Sequence, residues 1–368
     1  MNDRETGIAI EELQNNDLTY EKQYEANLGV DVGIVSNRIN LTADVYRREG
    51  FDLFDFVRTS GLGGQEIKLI NNADMLTRGI ELSLRTNNLP RGPLQWTSTL
   101  NYSAFDQEVT KIENRPNALD ATDATGASFV GYPRNSIFSF QFAGLTDEGF
   151  PSYDIPDDDK TFGVDYQDTG VSLTTPEGRA RGLLSYLKYE GPSDPNRTIS
   201  LQNTFTYKNW SLGIFIVASG GNKIRLPALF TYNAFTDIAT YSKSFQNRWI
   251  LAGDENITNF PTIPSSRQIV EDTESDVLIA YNAYNFSTER IADGDYVRLR
   301  TVNLSYTVPT RLLNRFAVRS LVISGLVQNP WLIYADDRLN GVDPEFYASG
   351  GVAQPVTRQY TISLNVGF

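Results

Sequence analysis

Neither cysteine nor histidine occurs anywhere in the 368 residues. Without cysteine there are no disulfide scaffolds, thiolate metal sites or cysteine nucleophiles. Without histidine the commonest general base and metal ligand is gone, and Ser-His-Asp hydrolysis with it. Basic charge is in deficit. Lys+Arg total 32 against 45 for Asp+Glu, a net charge of −13 at pH 7. A nucleic-acid binder needs a basic face to displace phosphate counterions, so this acidity argues against nucleic acid as a partner. Long hydrophobic runs are missing as well. Mean hydropathy is −0.33, and no stretch approaches the ~20 apolar residues of a membrane-spanning helix. Residues 1–25 are polar and charged and contain no apolar h-region, so they carry no secretory signal. Two readings follow, a cytoplasmic chain or a sequence short of its full precursor, and the patterning below favours the second.

What the chain has in abundance is a period of two. Arg358, Tyr360, Ile362, Leu364, Val366 and Phe368 alternate with Thr357, Gln359, Thr361, Ser363, Asn365 and Gly367. Successive strand side chains point to opposite faces, so this segment is a strand with one apolar and one polar surface. The same split recurs at 26–34, 39–45, 80–85, 94–103, 199–207 and 301–308. It is weaker at 211–218 and 318–334. Together these make roughly nine strands.

Alternation alone does not say which face meets water. A soluble sandwich buries its apolar face in a core, whereas an outer-membrane barrel turns it to lipid around a polar lumen. Connection lengths separate the two. Tight connections at 36–38, 88–93, 208–210 and 309–317 alternate with long polar ones at about 59–76, 112–196, 219–294 and 335–356. Loops beyond ~12–15 residues are uncommon in compact domains. Gathering every long one at one end fits short periplasmic turns and long extracellular loops. The expected fold is therefore all-β, a transmembrane antiparallel β-barrel. Aromatics make up 12% of the chain. Many sit near strand ends (Tyr20, Tyr46, Trp96, Tyr102, Tyr207, Trp210, Tyr306, Trp331, Tyr360), where a barrel carries its interfacial girdles. The terminal Phe368 resembles the signal by which bacterial outer-membrane barrels are recognised for insertion.

Several segments resemble the SusC/RagA-type TonB-dependent outer-membrane transporters. Asn16-Asp17-Leu18-Thr19-Tyr20-Glu21-Lys22 and Asn27-Leu28-Gly29-Val30-Asp31 are similar to that family's N-P-x-L-x-W-E-K … N-x-G-x-D stretch. Arg78-Gly79-Ile80-Glu81-Leu82, Gly191-Pro192-Ser193-Asp194-Pro195 and the run from Asp293 to Tyr306 follow in family order. Gln328-Asn329-Pro330 and Asp343-Pro344-Glu345 close the series. Departures from the family pattern include Tyr20 for its usual Trp, Thr77 for the Asn that usually opens the Gly-Ile-Glu motif, and Pro330-Trp331 after Gln-Asn. All the motifs belong to the C-terminal part of such transporters. The plug domain and the N-terminal strands of a barrel of about 22 strands have no counterpart here. Nine strands do not close alone, and an open edge is untenable in lipid, so the remaining strands and plug are expected partners.

The resemblance implies import of a nutrient, an oligosaccharide or a peptide, across the bacterial outer membrane. It also implies energy from TonB–ExbB–ExbD and a SusD-like surface lipoprotein over the loops, with no catalysis, cofactor or resident metal. Two other readings stay open from the residues: a non-transporting surface or adhesion barrel, and a secreted all-β carbohydrate-binding protein. The substrate-binding residues are unknown at this level.

Three groups stand out as candidate sites. The acidic run Asp154–Asp159 has the oxygen density of a Ca²⁺ loop, or of a solvated one. Asp293, Asp295, Arg298 and Arg300 lie where a long loop enters a strand. They either line the mouth and meet solute, or the arginines pair with neighbouring strand carboxylates on the lumen wall. The phase of alternation slips between Leu299 and Val302, which predicts a β-bulge near Arg300. Loop aromatics Phe230, Tyr232, Phe235, Tyr241, Phe245, Trp249, Tyr281, Tyr284 and Phe286 either stack on ligand or pack the loops together. The glycine pairs 63–64, 220–221 and 350–351 lack the strand-to-helix setting and Lys-Ser/Thr of a phosphate loop.

Overall fold

A computed structural model describes residues 18–58, 67–112, 118–154, 187–229, 243–263, 281, 283–313, 318–347 and 356–368. Four long strands come first: β1 (Lys22–Ile34), β2 (Ile39–Arg58), β3 (Ile67–Leu89) and β4 (Leu94–Ile112). Short strands follow within the next connection, β5 (Ser136–Phe140), β6 (Phe142–Leu145), β7 (Pro151–Tyr153) and β8 (Leu187–Pro192). The chain then makes β9 (Arg197–Tyr207) and β10 (Trp210–Gly220), two further short strands β11 (Lys223–Arg225) and β12 (Ile291–Asp293), and finally β13 (Tyr296–Thr307), β14 (Ser320–Ala335) and β15 (Gln359–Gly367). Nine of these form one antiparallel sheet in the order β1-β2-β3-β4-β9-β10-β13-β14-β15. The nine are the segments that alternate in sequence.

Register turns the period of two into two continuous surfaces. Val32, Leu41, Leu84, Leu100, Leu201, Ile216, Leu299 and Trp331 are successive cross-strand partners from β1 to β14. The row on the opposite face reads Gly33, Asn40, Arg85, Thr99, Gln202, Phe215, Thr301, Gln328 and Gln359, polar or glycine except for Phe215. The apolar surface is not buried. Leu28 is 73% exposed, Ile362 83% and Leu364 66%. A soluble protein rarely leaves an apolar face this extensive uncovered, whereas a barrel wall presents it to lipid. No helix among the described residues is long and apolar enough to cross a membrane, so any crossing is made by strands.

The connections segregate. At one end lie turns at 35–38, 90–93 and 208–209 and the link after β13, which opens with a helical turn at Thr310–Leu313; at the other lie all the long segments. The first of these is shorter than its polarity suggests. Residues 67–76, read from sequence as loop, are strand in β3, and the connection occupies 59–66. The pattern there is obscured because register shifts between Gly50 and Phe54 break the phase of the β2–β3 pair. β2, β3 and β4 run to 20, 23 and 19 residues, against the ~9–11 that span a bilayer, so these strands continue well past the membrane on the loop side.

One expected girdle residue sits elsewhere. Tyr46 shares the polar face with Asp44, its partner across the pair is Gly79, and its ring covers that glycine where a Cβ would collide with it. The parity of β2 places Tyr46 towards the lumen, and the glycine of the Arg-Gly-Ile-Glu segment is the vacancy that admits the ring. Tyr207, Trp210 and Tyr306 do form an outward aromatic row at the short-turn end, with Trp210 and Tyr306 rings 4.6 Å apart.

The two faces respond differently to charge. Leu100→Arg on the apolar face is expected to destabilise the inserted protein by ~2–4 kcal/mol, while Asn101→Arg one residue along changes stability little. Urea unfolding from lipid vesicles, followed by heat-modifiable gel mobility, measures both.

Candidate functional site: the lumen wall and the mouth

The polar face is ordered by short hydrogen bonds across strands. Thr42 Oγ1 donates to Asp31 (2.6 Å), Ser83 Oγ to Asn101 (2.8 Å), and Asn101 Nδ2 to Ser200 Oγ (3.2 Å). Ser324 and Ser363 hydroxyls meet at 2.8 Å. Thr42, Asp44, Glu81, Ser83, Asn101 and Ser200 line a shallow groove along this face. Small hydroxyls and amides on adjacent strands keep the surface wet and low in relief, as a solute pathway needs.

Above this groove a second concavity is lined by Phe105 and Gln107 of β4 and by Pro133, Arg134, Pro192, Asp194 and Asn196 of the loops. Its walls are fixed by backbone bonds: Phe105 N–H donates to the Asn196 carbonyl (3.0 Å) and Ser193 N–H to the Asn135 carbonyl (2.8 Å). Asp194 accepts from Asn135 Nδ2 at 2.8 Å and faces Arg134 at 3.7 Å. Sequence reasoning missed this site. Its residues come from three distant segments with no shared period, and only the Gly191–Pro195 motif marked one side of it.

The long connections form a cap with its own apolar interior. β5 pairs with β8, β6 with β7, and β11 with β12. Phe129, Phe138, Phe140, Tyr153 and Leu187 cluster together; Phe150, Leu229, Phe245, Tyr281 and Tyr284 make a second group, and Phe142 packs against both. Of the loop aromatics singled out in sequence, Phe245, Tyr281 and Tyr284 are buried and Phe286 packs on the first cluster. Trp249 stacks over Gly149 and donates its indole N–H to Glu255 at 3.0 Å. These five hold the loops together. Phe230, Tyr232, Phe235 and Tyr241 lie outside the described residues. Burial pushes the Tyr281 and Tyr284 hydroxyl pKa values up, so both remain neutral.

Arginines tie the segments of the cap to one another through carbonyl oxygens. Buried Arg225 donates to the Phe138 carbonyl at 2.7 Å, Arg290 to Pro227 at 2.6 Å, and Arg338 to Ile291 at 2.7 Å. At the mouth, Arg298 and Arg300 are paired, but not with strand carboxylates. Arg298 is buried against Asp343 (2.5 Å) and reaches Glu345 at 3.5 Å; Arg300 pairs with Glu345, which also accepts from the Tyr296 hydroxyl. Both acids belong to the connection after β14, where Pro344–Tyr347 forms one helical turn. The bulge expected near Arg300 is present. Leu299 and Thr301 are consecutive partners of Ile216 and Phe215, which leaves Arg300 without a partner on β10. The extra residue turns its guanidinium towards Glu345. Asp293 pairs with Lys223, and Asp295 accepts from Gly221 N–H at 2.8 Å.

Of the acidic run, Asp154 accepts from Gln141 at 3.4 Å, and 155–159 lie outside the described residues. Among the described residues no acidic group is arranged to hold a metal ion.

Known proteins bear on this architecture as follows. No family model matches the chain. It is 21% identical over 350 residues to TonB-dependent receptor P3 of Formosa agariphila, covering 92% of this chain and 32% of that protein. TonB-dependent receptor P26 of the same organism is 22% identical over 392 residues, covering 99% and 36%. The chain thus spans about a third of the length of the curated relatives it matches. The RagAB peptide transporter structure superposes with a TM-score of 0.75 at 20% identity, covering all of this chain and 37% of that one. RagAB in an open-open state gives 0.72 at 21% identity.

Two outcomes test the mouth and the cap. Removing one charge from a buried pair typically costs ~3–5 kcal/mol locally. Asp343→Asn should therefore release 336–347 from the wall, seen as faster hydrogen exchange there with the remaining strands unchanged. In the turn 249–258, the Trp249 indole bond holds the Glu255 carboxyl below its usual range, and Leu251 and Ile250 backbone N–H groups do the same for Asp254. A depressed carboxylate pKa stabilises above the ordinary carboxylate range and loses that contribution as pH falls through the depressed value. Trp249 fluorescence, in a variant lacking the other tryptophans, should accordingly be constant at neutral pH and change only in strong acid.

Proposed function

We propose that this chain, which carries the barrel fold of the SusC/RagA-type TonB-dependent outer-membrane transporters, is the C-terminal part of the wall through which a nutrient is imported. The two-faced sheet carries this reading: an uncovered apolar surface for lipid, a hydroxyl- and amide-lined surface for solute, and a folded cap over one end. Its edge strands β1 and β15 pair with the remaining strands of the barrel, and the polar face encloses a plug. Plug and wall gate together, with force supplied through TonB–ExbB–ExbD, while a SusD-like surface lipoprotein closes over the cap. The substrate is an oligosaccharide or a peptide. The likeness to the RagAB peptide transporter supports the second class, and the mixed donors and acceptors around Phe105 suit either.

Uptake measured in cells separates transport from adhesion. Labelled oligosaccharide or peptide should accumulate in cells making the protein, and an uncoupler that collapses the proton gradient should abolish accumulation while leaving surface binding intact. Binding unaffected by the uncoupler, with no accumulation under any condition, would instead indicate a surface barrel. A lipoprotein should co-purify in mild detergent; its absence at saturating partner would remove the lid from the proposal.

A further inference from the structure

We infer that Arg47 and Arg78 form a docking site on the membrane face for a lipid with a phosphate headgroup, its acyl chain lying along Ala26, Leu28 and Val45. The inference needs the membrane placement of the sheet but not transport. Arg47 of β2 and Arg78 of β3 are direct cross-strand partners. Ala26 faces Arg47, and Leu28 faces Val45, so all five side chains share the outward surface. They line one shallow groove whose walls are mostly apolar.

Like charges directly opposite each other in a sheet repel and weaken the pair. Arg47 is partly compensated by Glu49 at 2.5 Å. Arg78 has no ion-pair partner among the described residues, although Asp106 stands opposite it on β4. A phosphate between the two guanidiniums would relieve the repulsion with bidentate, charge-assisted hydrogen bonds, which the planar arginine fork suits better than lysine. Glu49 and Asp106 border the pair on the same face, so the site admits one phosphate rather than a broad anionic layer.

Height favours a lipid over a free ion. Arg47 stands eight residues up β2 from Ile39, and Arg78 eleven residues up β3 from Leu89. At about 3.3 Å per residue and about 40° of tilt, that is roughly 20–28 Å above the turns. The apolar band of a barrel is ~25 Å tall, so the arginines sit where hydrocarbon gives way to headgroups on the cap side. The apolar groove lies immediately below them, where an acyl chain attached to that phosphate would run.

The test uses protein extracted from its own membrane in mild detergent, with bound lipid counted by native mass spectrometry. Wild type should retain phosphatidylglycerol after delipidation and re-addition, and should not retain monogalactosyl diacylglycerol, which has no phosphate. Arg47→Gln/Arg78→Gln should reduce retention about ten-fold, as expected for losing a charge-assisted bond. Lys208→Gln at the opposite boundary should change nothing. Heat-modifiable mobility reports folding, and if the double variant does not fold, Arg78→Gln alone, which breaks no ion pair, should still lower retention several-fold. Equal retention in the variants, equal binding of the galactolipid, or displacement of the lipid by millimolar inorganic phosphate would each overturn the proposal.

Discussion

Backbone hydrogen bonding in a medium without water is the constraint on which everything else in this molecule rests. Each N–H and C=O within the hydrocarbon layer has to find a partner in a neighbouring strand, which fixes an antiparallel ladder from β1 to β15. Once the ladder is fixed, pleating leaves each side chain only two directions. One surface then has to suit acyl chains and the other water. Sequence composition is therefore divided between faces rather than between inside and outside, and the average over both, a mean hydropathy of −0.33, resembles that of a soluble protein.

Much of the wall was legible from this division. The segments 26–34, 94–103 and 359–367 alternate, with Ser98 the one polar residue on an apolar face, and each is strand in the expected register. The slip of phase at Leu299–Val302 located a bulge because an inserted residue must invert parity. Legibility failed where parity is broken without an apolar run to reveal it. Residues 67–76 contain Asn71, Asn72 and Asp74 and pair across a double register shift, so β3 looks like loop. Tyr46 illustrates the converse, since its residue type suggests a girdle and its parity a lumen position; parity prevailed.

The cap was legible only as length and aromatic content. Its contacts join segments separated by more than a hundred residues, such as Phe142 with Tyr284, and no local period encodes them. Arginine pairing at the mouth was foreseen in kind, but the partners are Asp343 and Glu345 of a different connection. Charge pairing between distant segments depends on topology, and the sequence reveals only that suitable charges exist. The likeness to known TonB-dependent receptors at 21–22% identity fits the same division, because alternation can persist while individual side chains drift.

The cap's aromatic interior draws on residues 129–153, 187, 229, 245 and 281–286, which the chain delivers from two separate connections between wall strands. Each cluster is drawn mainly from one connection and completed by the other, with Ala283 joining the first and Phe150 the second. The interior is therefore complete only when both connections have come together at the same end of the wall. Assembly of this protein thus has two stages with different solvents and different drivers, lipid partitioning for the wall and burial from water for the cap. A defect confined to the second stage would leave a barrel wall that inserts normally beneath an unformed cap.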